Sequence, residues 1–246
     1  MRKFGLIGKK LGHSFSKKYF TEKFEREGIT DAAYELYELP RAEELTTLLQ
    51  QEPELVGLNV TVPYKEQVIP LLDELDEAAA TIGAVNTIKI SNGRTKGYNT
   101  DYVGFKSSLE EFYPEPARKQ ALVLGTGGAA KAVWAALDAL NVPYLRVSRK
   151  EGEGQLSYTQ LTSEVLSDYN LIINTTPLGM YPQVEEAPEL PYDNITDQHF
   201  IYDLVYNPNQ TKLMQKCAAK GAKVMNGLLM LHRQADAAWN IWNIEY

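Results

Sequence analysis

Ala121-Leu122-Val123-Leu124-Gly125-Thr126-Gly127-Gly128-Ala129-Ala130 lies in the middle of a chain of 246 residues, and its reading decides the fold. The apolar run 121–124 is long enough for one buried strand and ends at Gly125. Beyond the glycines, Val133, Trp134, Leu137 and Leu140 return at helical spacing. Strand, glycine-rich turn and helix in that order form a dinucleotide-binding fingerprint: Gly125 makes the turn, Gly127 admits a pyrophosphate, and Ala130 lets helix pack on strand. Phosphate charge would rest on the free N–H groups of the helix N-terminus. Glycine runs also mark plain tight turns, so the flanking strand and helix are what favour a nucleotide.

Outward from that turn the same alternation recurs on both sides. Upstream, strands are predicted over 3–8, 33–39 and 55–60, with a helix after Ser14-Phe15-Ser16 that Ser16 would cap and Gly28 would stop, and another over 41–51. Pro63 suits the first turn of a further helix. Residues 85–90 and 94–98 read as a hairpin turning at Asn92-Gly93, followed by a helix over 101–112. The segment 113–119 holds Pro114 and Pro116 among charges, which places a domain boundary near it. Downstream come strands over 121–124, 144–148, 171–174 and 200–204, helices over 128–140 and 211–220, a glycine-rich polar loop after 148 and a weak helix up to 168. The last helix, 227–242, carries Leu228, Leu231, Ala235, Ala238 and Trp242 along one stripe. The expected class is α/β: an N-terminal βα domain with a mostly parallel sheet, a C-terminal Rossmann-like domain, and a ligand cleft between them at strand carboxyl ends.

Composition excludes several function classes. With 25 Lys and Arg against 32 Asp and Glu, the net charge of −7 gives no general attraction for nucleic acid or anionic membrane, so an anionic ligand needs a local site. The single Cys217 cannot form an internal disulfide, and no run approaches a signal peptide or a membrane span, which leads us to expect a cytoplasmic protein. His13, His199 and His232 lack ligand spacing, so no metal site is expected. Neither a nucleophile elbow nor a GxxxxGK phosphate loop is present.

The candidates for chemistry cluster at strand-to-helix turns. In Gly57-Leu58-Asn59-Val60-Thr61-Val62-Pro63-Tyr64-Lys65, Lys65 would stand in a helix's first turn, where the macrodipole disfavours a cation and lowers its pKa. A solvated lysine beside Glu66 is an equally good account of those residues alone. Asp101, in Asn99-Thr100-Asp101, reads most simply as an N-cap. Together with Asn86-Thr87, however, these turns would bury polar side chains at a cost unless they converge on a polar pocket. Ser14 and Ser16 add hydroxyl donors suited to a carboxylate.

In sum, Gly12-His13-Ser14-Phe15-Ser16, Asn59 to Lys65, Gly83-Ala84-Val85-Asn86-Thr87, Asn99 to Phe105, Gly125 to Ala129, Asn174-Thr175-Thr176-Pro177-Leu178-Gly179-Met180, Asp203 to Pro208 and Gly227 to Gln234 resemble the shikimate dehydrogenases, in that family's order and over nearly the whole chain. The resemblance implies reversible NADPH-dependent reduction of 3-dehydroshikimate to shikimate, on the way to chorismate and the aromatic amino acids. It implies Lys65 and Asp101 as the catalytic pair, and Ser14, Ser16, Asn59, Thr61, Asn86, Tyr206 and Gln234 around the substrate. For NADP it implies Glu77, Gly125, Thr126, Gly127, Gly128, Ala129, Ser148, Arg149, Lys150, Thr175, Leu204 and Gly227. The domains would then be 1–112, completed by 228–246, and 113–227, in a monomer or homodimer. Two departures stand out: Lys17 replaces the usual proline after the second serine, and Ser148-Arg149-Lys150 replaces the frequent Asn-Arg-Thr. Two rivals remain: an NAD-dependent quinate/shikimate dehydrogenase, which calls for an acidic residue at the ribose such as Glu151, and a catalytically silent protein that senses a dinucleotide or metabolite.

Overall fold

A computed structural model describes residues 1–12 and 14–244, with Pro116 described by its backbone alone. The backbone divides into two compact units, Met1–Thr100 with Gln234–Tyr246, and Asp101–Arg233. His13 and the last two residues of the expected 228–246 segment lie outside the described residues.

The first unit contains β1 (Arg2–Gly8), α1 (Phe15–Glu27), β2 (Ala32–Glu38), α2 (Leu45–Gln51), β3 (Leu55–Val60), β4 (Glu74–Leu75), α3 (Glu77–Ile82), β5 (Thr87–Ser91) and β6 (Arg94–Tyr98). Its sheet runs β2-β1-β3-β5-β6-β4. β1 is parallel to both β2 and β3, as the βαβαβ rhythm requires, whereas β5 is antiparallel to β3 and β6. Asn92 (φ 51°) and Gly93 (φ 74°) both take the left-handed conformation that a two-residue hairpin turn demands. Both faces of the sheet are covered. Alternation along β1 sends Ile7 to one core with Leu45, Leu58 and Val60, and Phe4 and Leu6 to the other with Phe20, Tyr34 and Trp242. A side chain at Gly57 would come within 2.3 Å of the Trp242 indole, whose N–H donates to the Ile88 carbonyl at 3.0 Å. Gly57 is thus the residue that lets the C-terminal helix lie against the sheet.

The second unit contains α4 (Thr100–Phe112), β7 (Ala121–Leu124), α5 (Gly128–Ala139), β8 (Tyr144–Ser148), β9 (Gln155–Ser157), α6 (Ser163–Asp168), β10 (Leu171–Asn174), β11 (Phe200–Asp203), α7 (Lys212–Ala218) and β12 (Lys223–Asn226); α8 (Leu228–Asn243) begins in it. Its sheet is fully parallel in the order β12-β11-β10-β7-β8-β9. The strand order reverses between β7 and β10, which is where open α/β sheets hold ligands.

Several expectations change. The divide falls at Thr100/Asp101 rather than at 113–119, because Phe105, Leu109 and Tyr113 pack into the second unit's core. Tyr113 is itself fully buried, with its hydroxyl donating to Asn170 Oδ1 at 2.5 Å and accepting the Lys119 N–H at 2.6 Å. Residues 62–68 form successive turns, not a helix, and Val62-Pro63 is cis. α1 starts at Phe15, so Ser14 rather than Ser16 caps it, accepting the Lys17 N–H at 3.3 Å. β9 emerges from the polar loop after β8: it is too short to show alternation and lies at a sheet edge. Of the predicted α8 stripe, Ala235, Ala238 and Trp242 are buried, while Leu228 is exposed.

Candidate active site

A continuous polar network underlies the substrate-site candidates of the first unit. Asn86 is buried, and its Oδ1 accepts from the Thr100 backbone N–H at 2.6 Å and from the Thr100 hydroxyl at 3.1 Å. Since a backbone N–H can only donate, the amide's orientation is fixed. Its Nδ2 is left as a donor with no protein partner among the described residues. Thr87 Oγ1 lies 3.2 Å from Asn86 Oδ1 and 3.1 Å from Thr100 Oγ1, which in turn reaches Gln234 Oε1 at 3.4 Å.

Asn59, at the end of β3, is also buried, and both ends of its amide are occupied. Its Nδ2 donates to Thr87 Oγ1 at 3.1 Å and to the Asn86 carbonyl at 3.4 Å, while its Oδ1 accepts the Tyr34 hydroxyl at 2.7 Å. Burial in the aromatic core pushes the Tyr34 hydroxyl far above its ordinary value and keeps it protonated. Tyr34, Thr87 and Thr100 are the residues that sequence reasoning left unassigned. The only available signal was a tyrosine in β2 and threonines flanking the polar turns.

Lys65 is half-buried in the turn that follows β3. Its carbonyl accepts the Val85 N–H at 2.7 Å, and its neighbours Tyr64 and Val68 are buried, with the Tyr64 hydroxyl donating to the Leu39 carbonyl at 2.5 Å. The lysine is therefore carried on an anchored backbone, and with no helix there the expected dipole effect on its ammonium falls away. Thr61 caps the same turn by accepting the Tyr64 N–H. Asp101 lies inside the first turn of α4 rather than at its cap, where a carboxylate suits the helix dipole.

The second unit holds a cavity of about 500 Å³ at the carboxyl ends of its strands, lined by Gly125, Thr126, Gly127, Ser148, Arg149 and Thr175 among others. Gly125 has φ of 100°, and an added Cβ would lie 2.7 Å from Thr175 Oγ1, so both backbone and packing require glycine. Gly127 and Gly128 differ: a Cβ on either would meet nothing within 4 Å. Their bareness leaves open the space in front of the N-terminus of α5, where a pyrophosphate fits. Ala129 follows in the first turn of that helix. Arg149 and Lys150 are exposed on the 149–154 loop, whose shape is held by Gln155 Nε2 donating to the Lys150 carbonyl at 2.6 Å. Glu151 accepts from Gln160 Nε2 at 3.2 Å. Tyr158 lines the cavity beside Arg149 and was not foreseen.

Other expected cofactor residues are placed differently. The Thr175 hydroxyl donates to the Leu124 carbonyl at 2.7 Å, fastening the loop after β10 to the end of β7. A Cβ on Gly227 would fall 2.1 Å from the Leu204 carbonyl, so these two positions touch through backbone. Tyr206 is partly exposed just after β11. Glu77 is exposed in the first turn of α3, in the other unit from this cavity. Beneath the loops, Asp203 is fully buried and accepts from Asn174 Nδ2 at 2.9 Å, the Val205 N–H at 3.1 Å and the Thr211 hydroxyl at 2.6 Å; burial nonetheless raises its carboxyl above the ordinary range. No cluster of three metal-ligating side chains, and no helix long and apolar enough to cross a membrane, occurs among the described residues.

Residues 6–88 match the family model described as the shikimate dehydrogenase substrate binding domain. The chain is 37% identical to a shikimate dehydrogenase (NADP(+)) of Desulforamulus reducens, over 97% of its own length and 88% of that relative's. Among solved structures, shikimate dehydrogenase from Aquifex aeolicus superposes with a TM-score of 0.86 at 36% identity, covering 99% of this chain and 92% of that one. The Thermus thermophilus shikimate 5-dehydrogenase solved in complex with NADP(H) and shikimate gives a TM-score of 0.86 at 31% identity, over 99% and 94% of the two chains.

Proposed function

The chain belongs to the shikimate dehydrogenase family, and from that premise we propose that it catalyses the reversible NADP-dependent reduction of 3-dehydroshikimate to shikimate, in the route to chorismate and the aromatic amino acids. It is an oxidoreductase acting on a CH–OH group, with NADP as its cofactor. The observation that carries this reading from the geometry is the bare cradle of Gly127 and Gly128 before α5, with Arg149 on the rim of the same cavity. The glycines suit the pyrophosphate, and the planar guanidinium of Arg149, with Lys150 beside it, suits a 2′-phosphate. Gln160 engages Glu151, the acidic side chain an NAD-selective ribose site would call for.

When bound, NADPH supplies the hydride to the ketone carbon of the substrate. As that carbonyl oxygen gains negative charge, Lys65 stabilises it and donates the proton. Asp101 holds the Lys65 ammonium in place and takes part in restoring its proton from solvent. Asn86 donates from Nδ2 to a ring hydroxyl, an orientation secured by Thr100. Ser14 and Ser16 hold the substrate carboxylate, while Thr61, Gln234 and Tyr206 complete the ring's surroundings. Asn59, with its amide occupied by Tyr34 and Thr87, supports the pocket from beneath. A reducing, cytoplasmic setting accords with a single cysteine that is free and buried.

The test is absorbance at the nicotinamide band with shikimate or quinate, each offered NADP or NAD. Fast turnover is expected for shikimate with NADP alone. Preference for quinate with NAD would move the protein to the quinate/shikimate reading. Binding of NADP with no turnover in any combination would favour a sensor.

A further inference from the structure

We propose that Asp203 is a positioning residue for the cofactor, holding in place the segment 175–178 that walls the nucleotide cavity; the inference rests on the functional reading above. Asp203 ends β11 and is fully buried. Thr175, Thr176, Pro177 and Leu178 line the cavity, and Asp203 is linked to both ends of that segment. At its start, Asn174 Nδ2 donates to Asp203 Oδ1 at 2.9 Å, while Asn174 Oδ1 accepts the Thr176 N–H at 3.1 Å and the Thr176 hydroxyl at 2.7 Å. The Thr176 oxygen in turn accepts the Leu178 N–H at 3.3 Å. At its end, Asp203 Oδ2 accepts the Thr211 hydroxyl at 2.6 Å, and Gly179, with φ of 87°, packs so near that threonine that an added Cβ would lie 3.3 Å from the Thr211 Cβ.

Each group that meets this carboxylate is obliged to donate to it. The Thr176 N–H has only a hydrogen to give, so Asn174 turns its oxygen to that group and is left with Nδ2 for Asp203. The Val205 N–H, 3.1 Å from Oδ1, is a backbone donor. Thr211 Oγ1 accepts the Met214 N–H as the cap of α7, which leaves its hydrogen for Oδ2. Three donors on two oxygens call for an acceptor-only side chain, and an ionised aspartate is one. Burial raises its carboxyl and so opposes that charge, while the three donors act the other way. What the buried charge secures is the path of the chain beside the cavity. If the link to Asn174 is cut, the amide can turn, and the Thr176 N–H and hydroxyl lose the acceptor that fixes them. With the link in place the wall is set before NADP arrives, which limits the ordering cost of binding.

Asp203→Ala cuts both links. NADP titrations followed by fluorescence, at a temperature where circular dichroism shows the variant folded, should give a Kd raised about tenfold. Asn174→Ala removes the link at the start of the segment and should weaken NADP to a similar degree, and the double variant should lose less than the product of the two single effects, because the aspartate acts through the asparagine. Asp203→Asn keeps Oδ1 for Asn174 and Val205 and turns its amide nitrogen to Thr211, whose hydrogen then lacks an acceptor. Its Tm should fall while its NADP Kd stays within about threefold of the parent, which keeps the test open if the alanine variants do not fold. A merely structural aspartate would lower the Tm in every variant and leave the Kd of the folded protein alone. A parent-like NADP Kd in folded Asp203→Ala or Asn174→Ala, or effects of the two that multiply independently, would therefore overturn the proposal while leaving the enzyme's function intact. A Kd weakened about tenfold in Asp203→Asn would overturn it as well, since the charge rather than the position of the wall would then act on the cofactor. Failure of the unmodified protein to bind NADP would overturn the functional reading and this inference with it.

Discussion

Two glycines of the nucleotide turn should fail in opposite ways when each is replaced by alanine. Gly127 caps α5 with φ −78° and ψ −174°, a conformation alanine adopts without strain, and a Cβ there meets no protein atom within 4 Å. Alanine is a poorer cap than glycine by about 0.5–1 kcal/mol, while a stiffer unfolded chain returns about 0.4–1 kcal/mol. Stability should therefore stay within about 0.5 kcal/mol of the parent, the difference between those two terms. The methyl group would, however, stand in the space assigned to the pyrophosphate. Overpacking of that kind costs about 1–3 kcal/mol, and NADP affinity should fall about 10- to 100-fold. Gly125→Ala meets the reverse situation: its φ of 100° costs about 1–3 kcal/mol in any non-glycine residue, and its Cβ would press on Thr175 Oγ1 at 2.7 Å. Its Tm should drop by about 2–12 °C. Thermal melts and NADP titrations followed by fluorescence give both quantities for each variant. If Gly127→Ala bound NADP as tightly as the parent, the cradle would not be where the pyrophosphate lies.

The other substitutions separate cofactor, chemistry and core. Arg149→Ala should raise the KM for NADP about 10- to 100-fold, the range for a lost charged hydrogen bond, and leave the KM for NAD nearly unchanged; equal effects in the two titrations would remove Arg149 from the 2′-phosphate. Lys65→Met should lower kcat about 10²- to 10⁴-fold with little change in the shikimate KM, whereas steady-state kinetics showing the reverse would make the lysine a binding residue. Burial pushes the Cys217 thiol up to about 12. The folded state then holds a proton that the unfolded chain gives up near pH ~8.5, so the thiol's contribution to stability should be flat below that pH and fall as pH rises towards 12. Denaturant melts from pH ~8.5 to ~10, below the range in which the buried tyrosines add their own decline, should show the fall, and Cys217→Ala should lessen it there; rapid labelling of the native thiol at pH 8 would contradict its burial.

The fold was legible wherever a strand was long and covered on both faces. The run 121–124 and the Asn92-Gly93 turn are examples, because continuous apolar residues and a left-handed turn pair have few other uses. Short edge elements such as β9 carry no such pattern. The boundary was misplaced because Pro114 and Pro116 interrupt the helical pattern, whereas the packing of Phe105, Leu109 and Tyr113 that ties α4 to the second sheet leaves no local mark. The proposed site residues were read as polar side chains at turns. What each one does with its hydrogen bonds was not readable, since Tyr34 meets Asn59 across 25 positions of sequence and Thr100 meets Gln234 across 134.

That distinction bears on how a pocket rich in buried polar groups can be stable with nothing in it. Each unsatisfied buried amide or hydroxyl would cost about 1–3 kcal/mol, so several of them would consume much of a domain's margin. Here the groups are sorted. Asn59, Thr87, Thr100 and the oxygen of Asn86 satisfy one another, and their bonds fix the geometry before any ligand arrives. The donor left over, Asn86 Nδ2, can turn to water in the empty site and to a ring hydroxyl in the filled one, so binding exchanges one partner for another without unmaking the network. A substitution at the edge of this network, such as Tyr34→Phe, leaves the buried Asn59 Oδ1 without its donor and is expected to be read in stability. One that breaks it at the centre, such as Thr100→Val, strips Asn86 Oδ1 of its hydroxyl donor and the Thr87 hydroxyl of a partner, while the backbone N–H of residue 100 still holds the amide. The cost of such a change falls on stability and substrate binding together, because the same bonds serve both.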